Sequence, residues 1–308
     1  MRVVLTGGTG GAKLIHGLSL VIDPKDLVII CNTADDFILR GLKISPDLDT
    51  IMYTLAGISD VTRGWGIYGD TFTVLQQLEK YGAETWFKLG DKDLATHMTR
   101  TELMRHGAKL SEITEKLGSA LEVRAKILPM TDDTVETRVA TRSGEISFQE
   151  YFVKHHWQPE VTGVSYAGIQ DSRPAPGILQ ALREASAIIV CPSNPVTSIG
   201  PILGVPGIRE ALKKAAAPVI AVSPIIGSRA ISGPAHKLMA AQGLEVSAFG
   251  VAYAYHDFLD IFVLDKEDKV LGSRIAELGI KPLTTWIRIK SLADKKRLAR
   301  EVLAFVEK

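Results

Sequence analysis

Apolar residues along this chain come in short, almost unbroken runs separated by stretches of helical spacing. Val3-Val4-Leu5, Leu27 to Cys31, Ala187 to Cys191, Pro218 to Val222 and Ile261 to Leu264 are runs of this kind. A run apolar at every position marks a parallel strand covered on both faces. Between the runs the period changes to that of a helix. Leu14, Ile15 and Leu18 follow the first run, and Ile51, Met52 and Leu55 follow Pro46-Asp47-Leu48-Asp49-Thr50. Pro176–Glu184 carries a proline in its first turn, and Gly233–Gln242 makes another helix. Strands alternating with helices predict an α/β fold of Rossmann-like type, with a mostly parallel, doubly wound sheet.

The middle of the chain departs from this rhythm. Helices are expected over about 70–80 and through 91–119, with a short strand at Trp86–Asp91. Strands follow at Lys126–Leu128, Glu136–Thr141 and Glu145–Phe148, the last two joined by a turn at Arg142-Ser143-Gly144. We read residues 57–159 as an inserted helical and β-hairpin region within a single α/β domain spanning 1–308. The α/β pattern resumes from Glu160, with a strand at Val161–Tyr166, and a charged amphipathic helix at Ser291–Lys308 closes the chain. There is no internal repeat, low-complexity tract or long linker.

Hydrophobic residues make up 46% of the 308, enough for a large core. The net charge of +1 points neither to nucleic acid nor to a membrane surface. Cys31 and Cys191 end apolar runs and lack zinc-ligand spacing, which suits buried thiols in a reducing compartment. The first strand starts at once, without a signal peptide, and no apolar run reaches membrane-spanning length. A cytoplasmic location is expected.

The candidate chemistry begins at the first strand. Thr6, Gly7, Gly8, Gly10 and Gly11 link it to the first helix, whose opening N–H groups favour an anion. This reads as a phosphate cradle, against the plainer alternative of a turn that only lets the helix pack. It is no Walker A loop, because Lys13 is followed by Leu14 rather than Ser or Thr. A dinucleotide fingerprint wants an acid at the end of the second strand, and Asn32 stands there.

Asp35, Asp36, Asp47 and Asp49 follow within a short distance. One such acid is explained as a helix cap. Four invite a metal or substrate role for Asp49 with a partner among Asp35, Asp36 and Asp47. Arg63 and Lys88 lie among aromatics including Trp65 and Tyr68, a mix suited either to a flat ring with an anionic tail or to packing under the inserted helices. His97, Arg100 and Arg105 read as a solvated helix face, with Arg100 alone able to reach a phosphate. Ser193, Asn194, Thr197 and Ser198, after the Ala187–Cys191 strand, either donate to a nucleotide or make turns for their own backbone.

Taken together, LTGGTGGAK, CNTADD, GLKISPDLDT, RGWGIYGD, LGDKDLATHMTRTELMRHG, CPSNPVTSIGPIL and SPIIG resemble the CofD family of 2-phospho-L-lactate transferases, over nearly the whole chain and in the right order. The resemblance implies transfer of the phospholactyl group of lactyl-2-diphospho-5′-guanosine to the deazaflavin Fo, with GMP released and magnesium required. Related enzymes use a phosphoenolpyruvyl donor. It further implies that Asp49 and Lys88 contact Fo, and that the nucleotide lies along the first glycine loop and the Ser193-Asn194 loop. The family is often dimeric. On these terms magnesium falls to Asp49 with Asp36 or Asp47, Lys13 and Lys88 add positive charge, and Trp65 and Tyr68 stack on the deazaflavin. Two other classes stay open on sequence: a nicotinamide-dependent oxidoreductase, disfavoured by Asn32, and a non-catalytic nucleotide sensor.

Overall fold

Every residue of the second and sixth strands of the central sheet is buried, as their apolar runs require, with Asp265 at the end of the sixth the one polar member. The computed structural model describes residues 1–306. Seven parallel strands form that sheet: β1 (Arg2–Thr6), β2 (Leu27–Cys31), β3 (Lys126–Pro129), β4 (Ala187–Val190), β5 (Val219–Val222), β6 (Ile261–Asp265) and β7 (Lys281–Thr285). Their spatial order is β7-β6-β5-β4-β1-β2-β3. Val3 of β1 faces Val28 of β2 on one side and Ile188 of β4 on the other.

Successive residues feed opposite cores. Val3, Leu5, Ile30 and Val190 join one apolar layer. Val4, Ile29 and Ile189 join the other, with Leu14, Ile15 and Leu18 of helix α1 (Gly8–Ser19) and Leu298 and Val302 of the C-terminal helix Leu292–Val306. These two helices approach closely at Gly17, where a Cβ would sit 2.7 Å from the Lys295 carbonyl carbon. The closing helix was expected to run to Lys308; Glu307 and Lys308 lie outside the described residues.

Helices α2 (Pro46–Leu55), α3 (Thr73–Lys80), α4 (Asp91–Arg105) and α5 (Leu110–Ala120) follow β2. The expected start of α3 near Asp70 is corrected to Thr73, and the reason is an exchange of caps. The Asp70 carboxylate accepts from the Lys92 and Asp93 amides of α4, at 2.8 and 3.0 Å. The Asp91 carboxylate in turn accepts from the Thr73 and Val74 amides of α3, at 3.0 and 3.1 Å. Caps of this kind contribute ~1 kcal/mol each, and the exchange fixes the angle at which α4 meets the rest.

Three further elements differ from expectation. Trp86–Asp91 is not a strand: 86–90 run as irregular chain, with Trp86 and Phe87 packed on Phe37 at ring separations of 6.0 and 4.8 Å. A small hairpin, Phe37–Leu39 against Leu42–Ile44, precedes α2 and was not foreseen. The strand Val161–Ala167 pairs antiparallel with Glu136–Thr141, which also pairs with Gly144–Ser147, so it lies in a separate three-stranded sheet.

Candidate active site

The chain leaves β1 towards β2 on one side and returns to β4 on the other, so the strand order reverses between β1 and β4. Ligands of open α/β sheets bind in the crevice outside such a switch point. Here the crevice is a cavity of about 650 Å³.

Its floor is the turn into α1. Gly8 takes φ +65°, a left-handed conformation that suits glycine. A Cβ on Gly7 would lie 2.7 Å from Asp47 Oδ2, and one on Gly11 would lie 2.6 Å from Ser193 Oγ. Ser193 ties the two switch-point loops together: its hydroxyl donates to the Gly7 carbonyl at 2.8 Å and accepts from the Gly7 amide at 3.3 Å. No side chain caps α1 from its own N-cap position, and no acid stands in its first turn. Gly7, Gly8, Thr9 and Gly10 line the cavity at the positive end of this helix, where the Gly7 amide meets Ser193 and the Gly8 amide meets Asp47.

Asn194 and Thr197 also line it. Asn194 makes a turn as well, its Oδ1 accepting from the Val196 and Thr197 amides at 3.0 and 3.4 Å. The turn reading of this loop is met, and the same residues face the cavity. Thr6, Gly11 and Lys13 do not reach the cavity wall. Thr6 is buried, Gly11 packs on it, and Lys13 is exposed and felt electrostatically by Lys295.

Proline at the start of α2 places Asp47 and Asp49 in its first turn, both buried and both on the cavity. Asp47 accepts from Asn32 Nδ2 at 3.0 Å. Burial pushes its carboxyl up to about 6, against the pull of Asn32 and the Gly8 amide. Burial, and then the neighbouring Asp47, raise Asp35 well above the carboxylate range. Asp36, expected to serve metal and catalysis, does not line the cavity. Asp36 faces away from the cavity, accepting from Ser45 Oγ at 2.7 Å and pairing with Lys43 Nζ at 3.1 Å.

Asp49 meets Arg100, which the sequence reading left able to reach a phosphate from an otherwise solvated helix face. Arg100 is 2% exposed, and its fork spans both Asp49 oxygens, with Nη1 to Oδ2 at 3.1 Å and Nη2 to Oδ1. Burial alone would lower the Arg100 pKa; the Asp49 charge and hydrogen bonds raise it instead. Arg100 Nη1 also lies 3.1 Å from His97 Nδ1, and His97 Nε2 lies 3.2 Å from Asp93 Oδ1, which accepts from the Tyr53 hydroxyl at 2.8 Å. Of His97, Arg100 and Arg105, expected on a solvated face of α4, the first two lie in a buried polar stripe and only Arg105 is exposed. Asp93 and His97 are the functional-looking pair the sequence reading missed. Their signal was present: positions 93, 97 and 100 share one face of a helix.

The remaining wall is aromatic and basic. Trp65, Trp86, Phe87, Phe148 and Phe152 line the cavity together with Arg63 and Lys88. The Arg63 guanidinium sits over the Trp65 and Phe72 rings, 5.7 and 5.0 Å from their centroids. Tyr68 is 71% exposed and is not on the wall, so the structure separates it from Trp65.

Small polar loops and a helix N-terminus on one wall, aromatics and cations on another, and carboxylates between them define the crevice of a doubly wound α/β protein that handles a phosphorylated, ring-bearing ligand. The CofD family model, described as 2-phospho-L-lactate transferase, matches residues 3–283. The chain belongs to this family and is a transferase. It is 42% identical to the 2-phospho-L-lactate transferase of Methanosarcina mazei over 301 residues, covering 98% of this chain and 99% of that one. It is also 42% identical to a phosphoenolpyruvate transferase of Streptomyces griseus over 311 residues, covering 99% and 98%. A crystal structure of a UPF0052 family member from Bacillus halodurans shares the fold, with a TM-score of 0.62, 18% identity and 98% coverage of both chains.

Proposed function

We propose that this transferase moves the phospholactyl group of lactyl-2-diphospho-5′-guanosine to the ribityl hydroxyl of the deazaflavin Fo, releasing GMP, in deazaflavin coenzyme biosynthesis. The observation that carries this reading is one cavity that joins a glycine-lined helix N-terminus to an aromatic, cationic wall across buried carboxylates. The diphosphate lies against Gly7, Gly8, Gly10 and the Ser193-Asn194-Thr197 loop, where amides and hydroxyls replace water. The deazaflavin lies between Trp65, Trp86 and Phe152, with Lys88 towards its polar edge.

The hydroxyl oxygen bonds to the phosphorus that carries lactate while the bond to the GMP phosphate oxygen breaks. Asp49, held by the Arg100 fork, orients the hydroxyl and accepts its proton. Transfers of this kind depend mostly on alignment and on charge neutralisation. The donor set suits magnesium: Asp35 Oδ1 is buried without a hydrogen-bond partner, and carboxylates are its preferred protein ligands. Cavity-side aspartates would hold the ion, and it would neutralise the diphosphate.

A phosphoenolpyruvyl donor is the second reading, supported by the Streptomyces griseus relative, which is as similar as the Methanosarcina mazei one. Turnover with lactyl, phosphoenolpyruvyl and phosphoglyceryl guanosine diphosphates separates the readings. The highest kcat/KM is expected for the lactyl donor. Preference for the phosphoenolpyruvyl donor selects the second reading, and no GMP release with any of the three refutes both. We place the enzyme in the cytoplasm as a homodimer; among the described residues no helix is long and apolar enough to cross a membrane. Light scattering should give twice the 33.4 kDa chain mass.

A further inference from the structure

Among the described residues only four other than glycine take positive φ, and two of them are neighbours: His156 at +48° and Trp157 at +46°. Left-handed backbone crowds a side chain, a bulky one most, and persists only where its surroundings hold it. Here the hold is visible. The Trp157 amide donates to the Tyr151 carbonyl at 2.8 Å. The Trp157 carbonyl accepts from Lys237 Nζ at 2.7 Å. Its ring stacks on Phe152 at 5.3 Å, and Phe152 stacks on Phe148 at 5.5 Å. Phe148 and Phe152 line the cavity, so Trp157 backs its aromatic wall.

Seating Trp157 accounts for one of the two strained residues. It does nothing for His156, whose side chain makes no hydrogen bond, ion pair or ring contact among the described residues. Yet His156, though exposed, lines the cavity along with Phe152 and Val153 of the same segment. That segment touches the aromatic wall again at Lys154, whose Nζ lies 5.9 Å from the Trp86 ring centroid.

We propose that His156 is a second polar contact for the acceptor, besides Lys88, and that it hydrogen-bonds the edge of the deazaflavin ring. A neutral imidazole offers one N–H donor and one nitrogen acceptor. The pyrimidinedione edge of a deazaflavin offers carbonyl oxygens and a ring N–H to match. A ring seated on Phe152 brings that edge towards the next cavity residues along the segment. The donor has less use for His156, because its diphosphate is placed at the glycine loop and the Ser193-Asn194-Thr197 loop. Strained backbone gathers at ligand clamps for this reason: the side chain is aimed before the ligand arrives.

The inference rests on the proposed acceptor, and the test tells the two apart. Fo, with GDP present, and GDP alone are titrated calorimetrically into the full-length protein and into His156→Gly. Glycine suits φ +48°, so the variant should melt at or above wild type. It should bind Fo about tenfold more weakly, as the loss of one hydrogen bond gives, with GDP affinity unchanged. In turnover, KM for Fo should rise by the same factor while kcat holds. Wild type that binds no Fo overturns the proposed function itself. Wild type that binds Fo, with His156→Gly binding it equally well, overturns the inference alone. Equal losses of Fo and GDP, or weaker Fo binding together with a lower melting midpoint, mark a structural role and overturn it as well.

Discussion

Replacing Arg100 with methionine tests the arrangement that separates Asp49 from the other carboxylates. Methionine fills much of the arginine stem's volume and removes the charge. The variant leaves Asp49, which is 4% exposed, without its cation, and strips His97 Nδ1 of its neighbour. Removing one partner of a buried ion pair costs about 3–5 kcal/mol, because the other charge is stranded. At about 2 °C per kcal/mol for a large domain, the melting midpoint should fall by about 6–10 °C. The assay is urea unfolding of wild type, Arg100→Met, Asp49→Asn and the double variant. The double variant should be more stable than the sum of the single losses predicts, by about 2 kcal/mol or more, since no charge is then stranded. Loss of under 1 kcal/mol in Arg100→Met, with additive behaviour in the cycle, would refute the claim that Arg100 neutralises Asp49.

Three other outcomes are expected. Gly8→Ala should weaken GDP binding by calorimetry more than tenfold and cost about 1–2 kcal/mol, because φ +65° strains any residue with a Cβ. Lys88→Ala should raise KM for the deazaflavin while leaving GDP affinity within twofold; equal losses of both would move Lys88 away from the acceptor. Asp257 supplies a pH signature remote from the cavity. Burial would raise its carboxyl, but Arg209 and Lys213 hold it down at about 2 against an ordinary 3.8. A depressed carboxylate stabilises the fold above its unfolded pKa, and that contribution is lost as pH falls from about 4 to about 2. It amounts to about 2 kcal/mol, so Asp257→Asn should be less stable than wild type at pH 7 and nearly equal to it at pH 2.

The sheet was legible because most of its strands are buried on both faces, with polar residues only at their ends, Arg2, Thr6, Lys126 and Asp265, where they do not blur the period. The edge strand β7, Lys-Pro-Leu-Thr-Thr, was not, since it is half exposed and contains Pro282, which is tolerated only where a ladder is incomplete. The glycine loop and the Ser193-Asn194-Thr197 loop were legible because both follow strand C-termini. Asp36 and Asp47 could not be told apart by spacing: Lys43 and Ser45, from the unforeseen hairpin and the residue before α2, draw Asp36 away. Helix α4 misled for a definite reason. Its buried residues are Asp93, His97, Arg100 and Thr101, so its inner face is polar and leaves no hydrophobic period to read. Trp65 and Tyr68 share a loop with positive-φ glycines at 64, 66 and 69, and sequence alone does not say which ring turns inwards there.

The central claim is that the switch-point cavity holds the guanosine diphosphate and the deazaflavin side by side. A crystal structure of the protein soaked with GDP and Fo tests it most directly. The account predicts phosphate density over the Gly7–Gly10 amides and the Ser193 loop, and a ring system beside Trp65 and Trp86 with its ribityl chain reaching Asp49. Phosphates bound away from that turn, or a deazaflavin with no group near Asp49, would contradict it.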